Sequence, residues 1–90
     1  MFYRSPRRPS CMTLTLAARG HGSPATILDI SDCGLHVTLR EPLPVGTLVT
    51  LETPRLRMEG EVRWSRGTHA GVMLREPLSP AQQAELSGGW

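Results

Sequence analysis

Three arginines, a carboxylate, a hydroxyl and a glycine carry the chemistry open to this chain. Arg4, Arg7 and Arg8 fall close together near the amino terminus, and Asp29-Ile30-Ser31-Asp32-Cys33-Gly34 follows at the end of an apolar run. Arginine presents a planar fork of donors that fits phosphate and the guanine edge. Residues two apart on a strand share a face, so Asp29 and Ser31 are expected to present their oxygens side by side. Gly34 is expected to supply the backbone freedom of a tight turn. The pattern predicts an anionic ligand gripped by arginine donors, with the turn supplying acceptors.

Such residues need elements to hold them. Residues 1–10 read as a flexible arginine-rich arm, because Pro6 and Pro9 break regular structure and no apolar stripe is present. Met12, Leu14 and Leu16 alternate with Thr13, Thr15 and Ala17, which predicts a half-buried strand. Arg19 to Pro24 reads as a turn cluster, Ala25 to Ser31 as the second strand and Leu35 to Arg40 as the third. A connection with Pro42 and Pro44 leads to a fourth strand near Leu48 to Glu52.

The fifth strand has the clearest pattern: Leu56, Met58, Val62 and Trp64 share one parity, and Arg57, Glu59, Glu61 and Arg63 the other. On that parity Trp64 is expected in the core or at a barrel mouth, and Gly60 at a bulge or bend. A sixth strand is predicted from His69 to Leu74. Ser79-Pro80-Ala81-Gln82 then starts a short helix with an N-cap, a proline in the first turn and a capping-box glutamine, to stop at Gly88-Gly89. Short strands at roughly ten-residue spacing with one terminal helix predict an all-β fold, a small six-stranded antiparallel β-barrel filling residues 11–90.

Ninety residues suffice for one domain with a modest core. The charge is uneven. Up to residue 28 there are four arginines and no acid (+4), and from Asp29 onward six arginines and eight acids (6 − 8 = −2), which sums to the net +2. All ten basic residues are arginine, which genome composition explains as well as function does, except in the cluster at 4–8. No apolar run approaches a membrane span and no signal-peptide pattern opens the chain. Two cysteines, Cys11 and Cys33, are too few for a disulfide framework and read as reduced thiols of a cytoplasmic protein.

The residues resemble the PilZ domain, a bacterial receptor module for cyclic di-GMP. The hallmark of that family is an Arg-x-x-x-Arg arm followed by an Asp/Asn-x-Ser-x-x-Gly turn. Arg4-Ser5-Pro6-Arg7-Arg8 matches the first and Asp29 to Gly34 the second, with 20 residues between them. Gly60-Glu61-Val62-Arg63-Trp64, Gly71-Val72-Met73-Leu74 and the Ser-Pro-Ala-Gln-Gln helix start follow in the family's order. The resemblance implies that Arg4, Arg8, Asp29 and Ser31 contact cyclic di-GMP, with Gly34 shaping the turn. Arg7 stands between the motif arginines, as a third phosphate contact or as solvated charge, the balance falling on charge.

It further implies a second-messenger receptor without a cofactor, signalling to a separate, unidentified protein. The alternative is a PilZ-like adaptor that binds a protein and not the nucleotide. Binding of a nucleic-acid polymer has little support, since only Phe2, Tyr3, Trp64 and Trp90 are aromatic and no basic–aromatic face recurs. Without the arginines, Asp29 and Ser31 would read as plain turn caps. His21, His36 and His69 show no metal-ligand spacing with the cysteines, so no metal is expected. No nucleophile–base pair is visible, which predicts a binding protein and not an enzyme.

Overall fold

A computed structural model describes residues 8–87, with the side chain of Arg8 excepted. Arg4, Arg7, the predicted stop at Gly88-Gly89 and the remaining terminal residues lie outside the described residues. Seven strands and one helix follow in order: β1 (Arg8–Pro9), β2 (Thr13–Ala18), β3 (His21–Ile30), β4 (Gly34–Leu39), β5 (Leu48–Glu52), β6 (Arg57–Arg66), β7 (His69–Leu74) and α1 (Pro80–Leu86). The sheet runs β3-β2-β5-β6-β7-β4, and β4 pairs again with β3, so six antiparallel strands close into a barrel. β1 is appended to the outer reach of β3.

Alternation along the strands fills the interior, interrupted in β3 by a register shift between Ile27 and Asp29. Leu14 and Leu16, Ile27 and Ile30, Leu35 and Val37, Val49 and Leu51, Met58 and Val62, and Val72 and Leu74 all point inward into one core. Leu78 and Leu86 join it from the helical segment. Helix α1 starts as expected: the Ser79 hydroxyl accepts from Gln82 N at 3.1 Å, and Ser79 N donates to Gln82 Oε1 at 2.9 Å. The helix ends at Leu86, with Ser87 as its C-cap.

Two expectations change. The turn cluster at 19–24 shrinks to Arg19-Gly20, both at positive φ (54° and 78°), a two-residue hairpin loop of the kind whose twist suits paired strands. β3 then begins at His21 and carries Pro24 inside it. Proline is tolerated there because β3 is paired only to β2 until Ala25 meets Leu39 of β4, so this stretch is an edge. Gly60 is the second change. It sits in regular register between Val49 and Leu74, and the irregularity of β6 falls between Val62 and Trp64 instead. A Cβ on Gly60 would lie 2.6 Å from the Met73 carbonyl oxygen, so this glycine answers a close backbone approach and not a bulge.

Candidate ligand site at the barrel rim

The end of the arginine motif, far in sequence from Asp29, pairs with β3. Arg8 is in register with Ile30 and Pro9 with Asp29. The chain is tied on past the strand: Ser10 N donates to the Leu28 carbonyl at 2.8 Å, and the Ser10 hydroxyl donates to the Leu86 carbonyl at 2.7 Å. Residues 8–10 of the segment read as a flexible arm are therefore laid along the barrel. The root of the arginine motif is placed against the acidic turn.

Four hydrogen bonds anchor the turn. Ser31 N donates to Gly34 O at 2.9 Å, and the Ser31 hydroxyl reaches the same carbonyl at 3.4 Å. Leu74 N donates to Cys33 O at 2.8 Å and Leu78 N to Asp32 O at 2.6 Å. The end of β7 and the approach to α1 thus hold its backbone.

Asp29 and Ser31, two residues apart, differ in burial. β3 ends at Ile30 and the chain bends at Asp32 and Cys33; Ser31 is 3% exposed with its hydroxyl on the Gly34 carbonyl, whereas Asp29, beyond the register shift between Ile27 and Asp29, stays half-buried. Gly34 also differs from expectation. The positive φ values belong to Arg19, Gly20, Gly46 and Gly67, and not to Gly34. A Cβ on Gly34 would meet Ser31 Oγ and the Val72 carbonyl at an ordinary 3.5 Å. Neither backbone nor packing demands glycine here.

Cross-strand register builds a row of outward residues from Asp29. Asp29 pairs with His36, His36 with Gly71, and Gly71 with Trp64, so four strands contribute to one line on the outer face. Asp29 Oδ2 lies 3.3 Å from His36 Nδ1, and His36 Nε2 lies 2.9 Å from His69 Nδ1. The His36 ring meets Trp64 edge to face, with centroids 5.1 Å apart. The indole covers Gly71, where a Cβ would collide with its five-membered ring.

Trp64 is 42% exposed and lies outside the core, against the parity expectation. The cause is the register shift between Val62 and Trp64. Val62 faces Val72 and Trp64 faces Gly71, which leaves Arg63 as an extra residue and moves Trp64 to the outer face. Strand parity could not foresee this, but the glycine in the middle of β7 is a signal of close approach. His36 and His69 were likewise missed as a pair, since they are 33 residues apart and only the β4–β7 register unites them.

The surface therefore combines a carboxylate acceptor, two imidazoles, a half-exposed indole face and an arginine-bearing strand root. That set suits a planar, hydrogen-bonding, anionic ligand. Both cysteines are free and exposed, Cys33 within the turn. Among the described residues no three His, Cys, Asp or Glu side chains group to hold a metal, and no helix is long and apolar enough to cross a membrane. No curated protein matches the chain. The family model of the PilZ domain matches residues 3–88, almost the full length, and takes in both halves of the motif. The chain belongs to the PilZ domain family.

Proposed function

We propose that this protein is a receptor for cyclic di-GMP, which it binds on the outer rim between the β1 strand root and the turn at 31–34. The observation that supports the proposal is the register of Arg8 with Ile30 and of Pro9 with Asp29, which sets the backbone at the last motif arginine beside the strand that leads into the acidic turn. Cyclic di-GMP offers two phosphates and two guanines. Arg4 and Arg8 clamp phosphate or grip guanine O6 and N7, and Arg7 contributes charge. Asp29 accepts from guanine N1 and N2. Ser31, bonded to Gly34, keeps the turn in shape. The half-exposed Trp64 offers a guanine a stacking surface at the far end of the same row. The signal passes to a separate protein once ligand phosphates draw the arginines onto the barrel.

Calorimetric titration with cyclic di-GMP, cyclic di-AMP and GTP in parallel tests this. Adenine lacks the paired N1 and N2 donors, so Asp29 would be left poorly matched and cyclic di-AMP should bind far more weakly. Equal affinity for the two cyclic dinucleotides would overturn base reading at Asp29.

A second reading, a protein adaptor that leaves the nucleotide out, has one observation in its favour. The next outward row pairs Gly34 with Met73, Met73 with Glu61 and Glu61 with Leu48, and both Met73 and Leu48 are exposed. Exposed apolar side chains in line suit a protein partner. Absence of heat with any of the three nucleotides would favour the adaptor.

A further inference from the structure

The contact between Asp29 and His36 continues to a third residue. His36 and His69 stand on neighbouring strands whose register pairs His36 with Gly71 and Thr38 with His69, so their side chains are diagonal neighbours on the outer face. With both rings neutral, the bonds admit one arrangement of protons. An ionised carboxylate only accepts, so His36 Nδ1 donates to Asp29 Oδ2 across 3.3 Å. A neutral imidazole has a single N–H, so His36 Nε2 accepts, and His69 Nδ1 donates to it across 2.9 Å. The relay runs from His69 through His36 to Asp29, and His69 Nε2 is its unprotonated end.

A proton added to His69 Nε2 leaves both bonds in place. A proton added to His36 Nε2 would set two N–H groups against each other at 2.9 Å. Among the described residues, the neighbouring strands bring Asp29 on β3 and, on β6, Arg66, in register with His69, and Arg63, whose guanidinium donates to Met73 Sδ at 3.1 Å. On their own strands the two histidines have no other ionisable neighbour.

We propose that His36, held in one tautomer by His69, is the positioning residue for the Asp29 carboxylate, and that ligand binding at Asp29 is coupled to uptake of a proton by the histidine pair. This rests on the nucleotide-binding function proposed above. Histidine is the side chain that changes charge between about pH 5 and 8. A proton on the pair adds positive charge beside a site for a ligand with two phosphates, and it leaves the donor to Asp29 in place. Coupling of this kind is reciprocal: if the protonated pair favours ligand, bound ligand favours the proton. Binding therefore tightens as pH falls through the histidine range.

The test is calorimetric titration of the full chain with cyclic di-GMP at about pH 5 and about pH 8, the ends of the histidine range, each in two buffers of different ionisation enthalpy. The wild type should bind several-fold more tightly at the lower pH, a coupling of roughly fivefold, and take up a fraction of a proton. His69→Ala should flatten that pH profile. His36→Ala should weaken binding at both pH values. His36→Asn, whose amide nitrogen stands near the place of Nδ1, should recover most of that loss without restoring the pH profile. A flat wild-type profile overturns the coupling, and wild-type affinity in His36→Ala overturns the positioning role. Nitrogen-15 NMR of the free chain separates this from failure of the nucleotide-binding function. Neutral His36 should carry its proton on Nδ1 even if no dinucleotide binds, and a proton on Nε2 overturns the relay itself.

Discussion

The indole of Trp64 occupies the space above Gly71: a Cβ at position 71 would fall among the Nε1, Cδ1 and Cε2 atoms of the ring. Gly71→Ala should therefore lift the indole off β7 and away from His36. Overpacking of this kind typically costs about 1–3 kcal/mol, so the variant should fold with reduced stability. In a Trp90→Phe background, tryptophan emission reports Trp64 alone and should shift to the red. Affinity for cyclic di-GMP should fall in the same variant. Unchanged emission would mean that the indole is not held there.

Replacing Arg4 or Arg8 with Ala should weaken ligand binding and leave the barrel folded. The core cluster of the described residues begins at Leu14, beyond both arginines in the chain. A hydrogen bond to a charged group is worth roughly 1.5–3 kcal/mol, about ten- to a hundredfold in affinity per arginine. Circular dichroism and titration on one sample check both halves. Retained affinity in Arg8→Ala would assign the role to Arg7.

Gly60→Ala separates barrel stability from ligand binding. The new methyl would stand 2.6 Å from the Met73 carbonyl, a backbone atom that cannot swing aside. A loss of about 1–3 kcal/mol in urea unfolding is expected. Gly60 lies two residues from the register shift of β6 and outside the row from Asp29 to Trp64, so binding below the unfolding transition should be preserved. Stability equal to wild type would show that β6 and β7 separate there at little cost.

Amide exchange with and without cyclic di-GMP should show protection rising at residues 4–8 and across the turn at 29–34. The Ser10 amide, already bonded to Leu28, should change little, as should the inward stretch of β6 from Met58 to Val62. Part of the attraction is between exposed charges, so affinity should fall as salt is raised toward the regime where the Debye length is about 3 Å. Protection unchanged at residues 4–8 on saturation would remove the arginine strand root from the binding event.

Much of the molecule was legible in the chain. Alternation such as Leu14 and Leu16 against Thr13 and Thr15 follows from the two-residue period of a strand, and Ser79-Pro80-Ala81-Gln82 carries its helix start in its own side chains. Both depend on residues within a few positions of each other, and so did the two halves of the PilZ motif. Three features were not legible, and each depends on closure of the barrel. The extra residue at Arg63 reverses the parity of Trp64, because a slip of one residue sends every later side chain to the opposite face. The turn that buries Ser31 is held by Leu74 and Leu78, which follow it by more than forty residues in the chain. The line from Asp29 through His36 to His69 and Trp64 exists because β3, β4, β7 and β6 lie side by side. Local pattern determined which residues form strands and which way most of them face; long-range hydrogen-bonded register decided which side chains share the outer surface with Asp29.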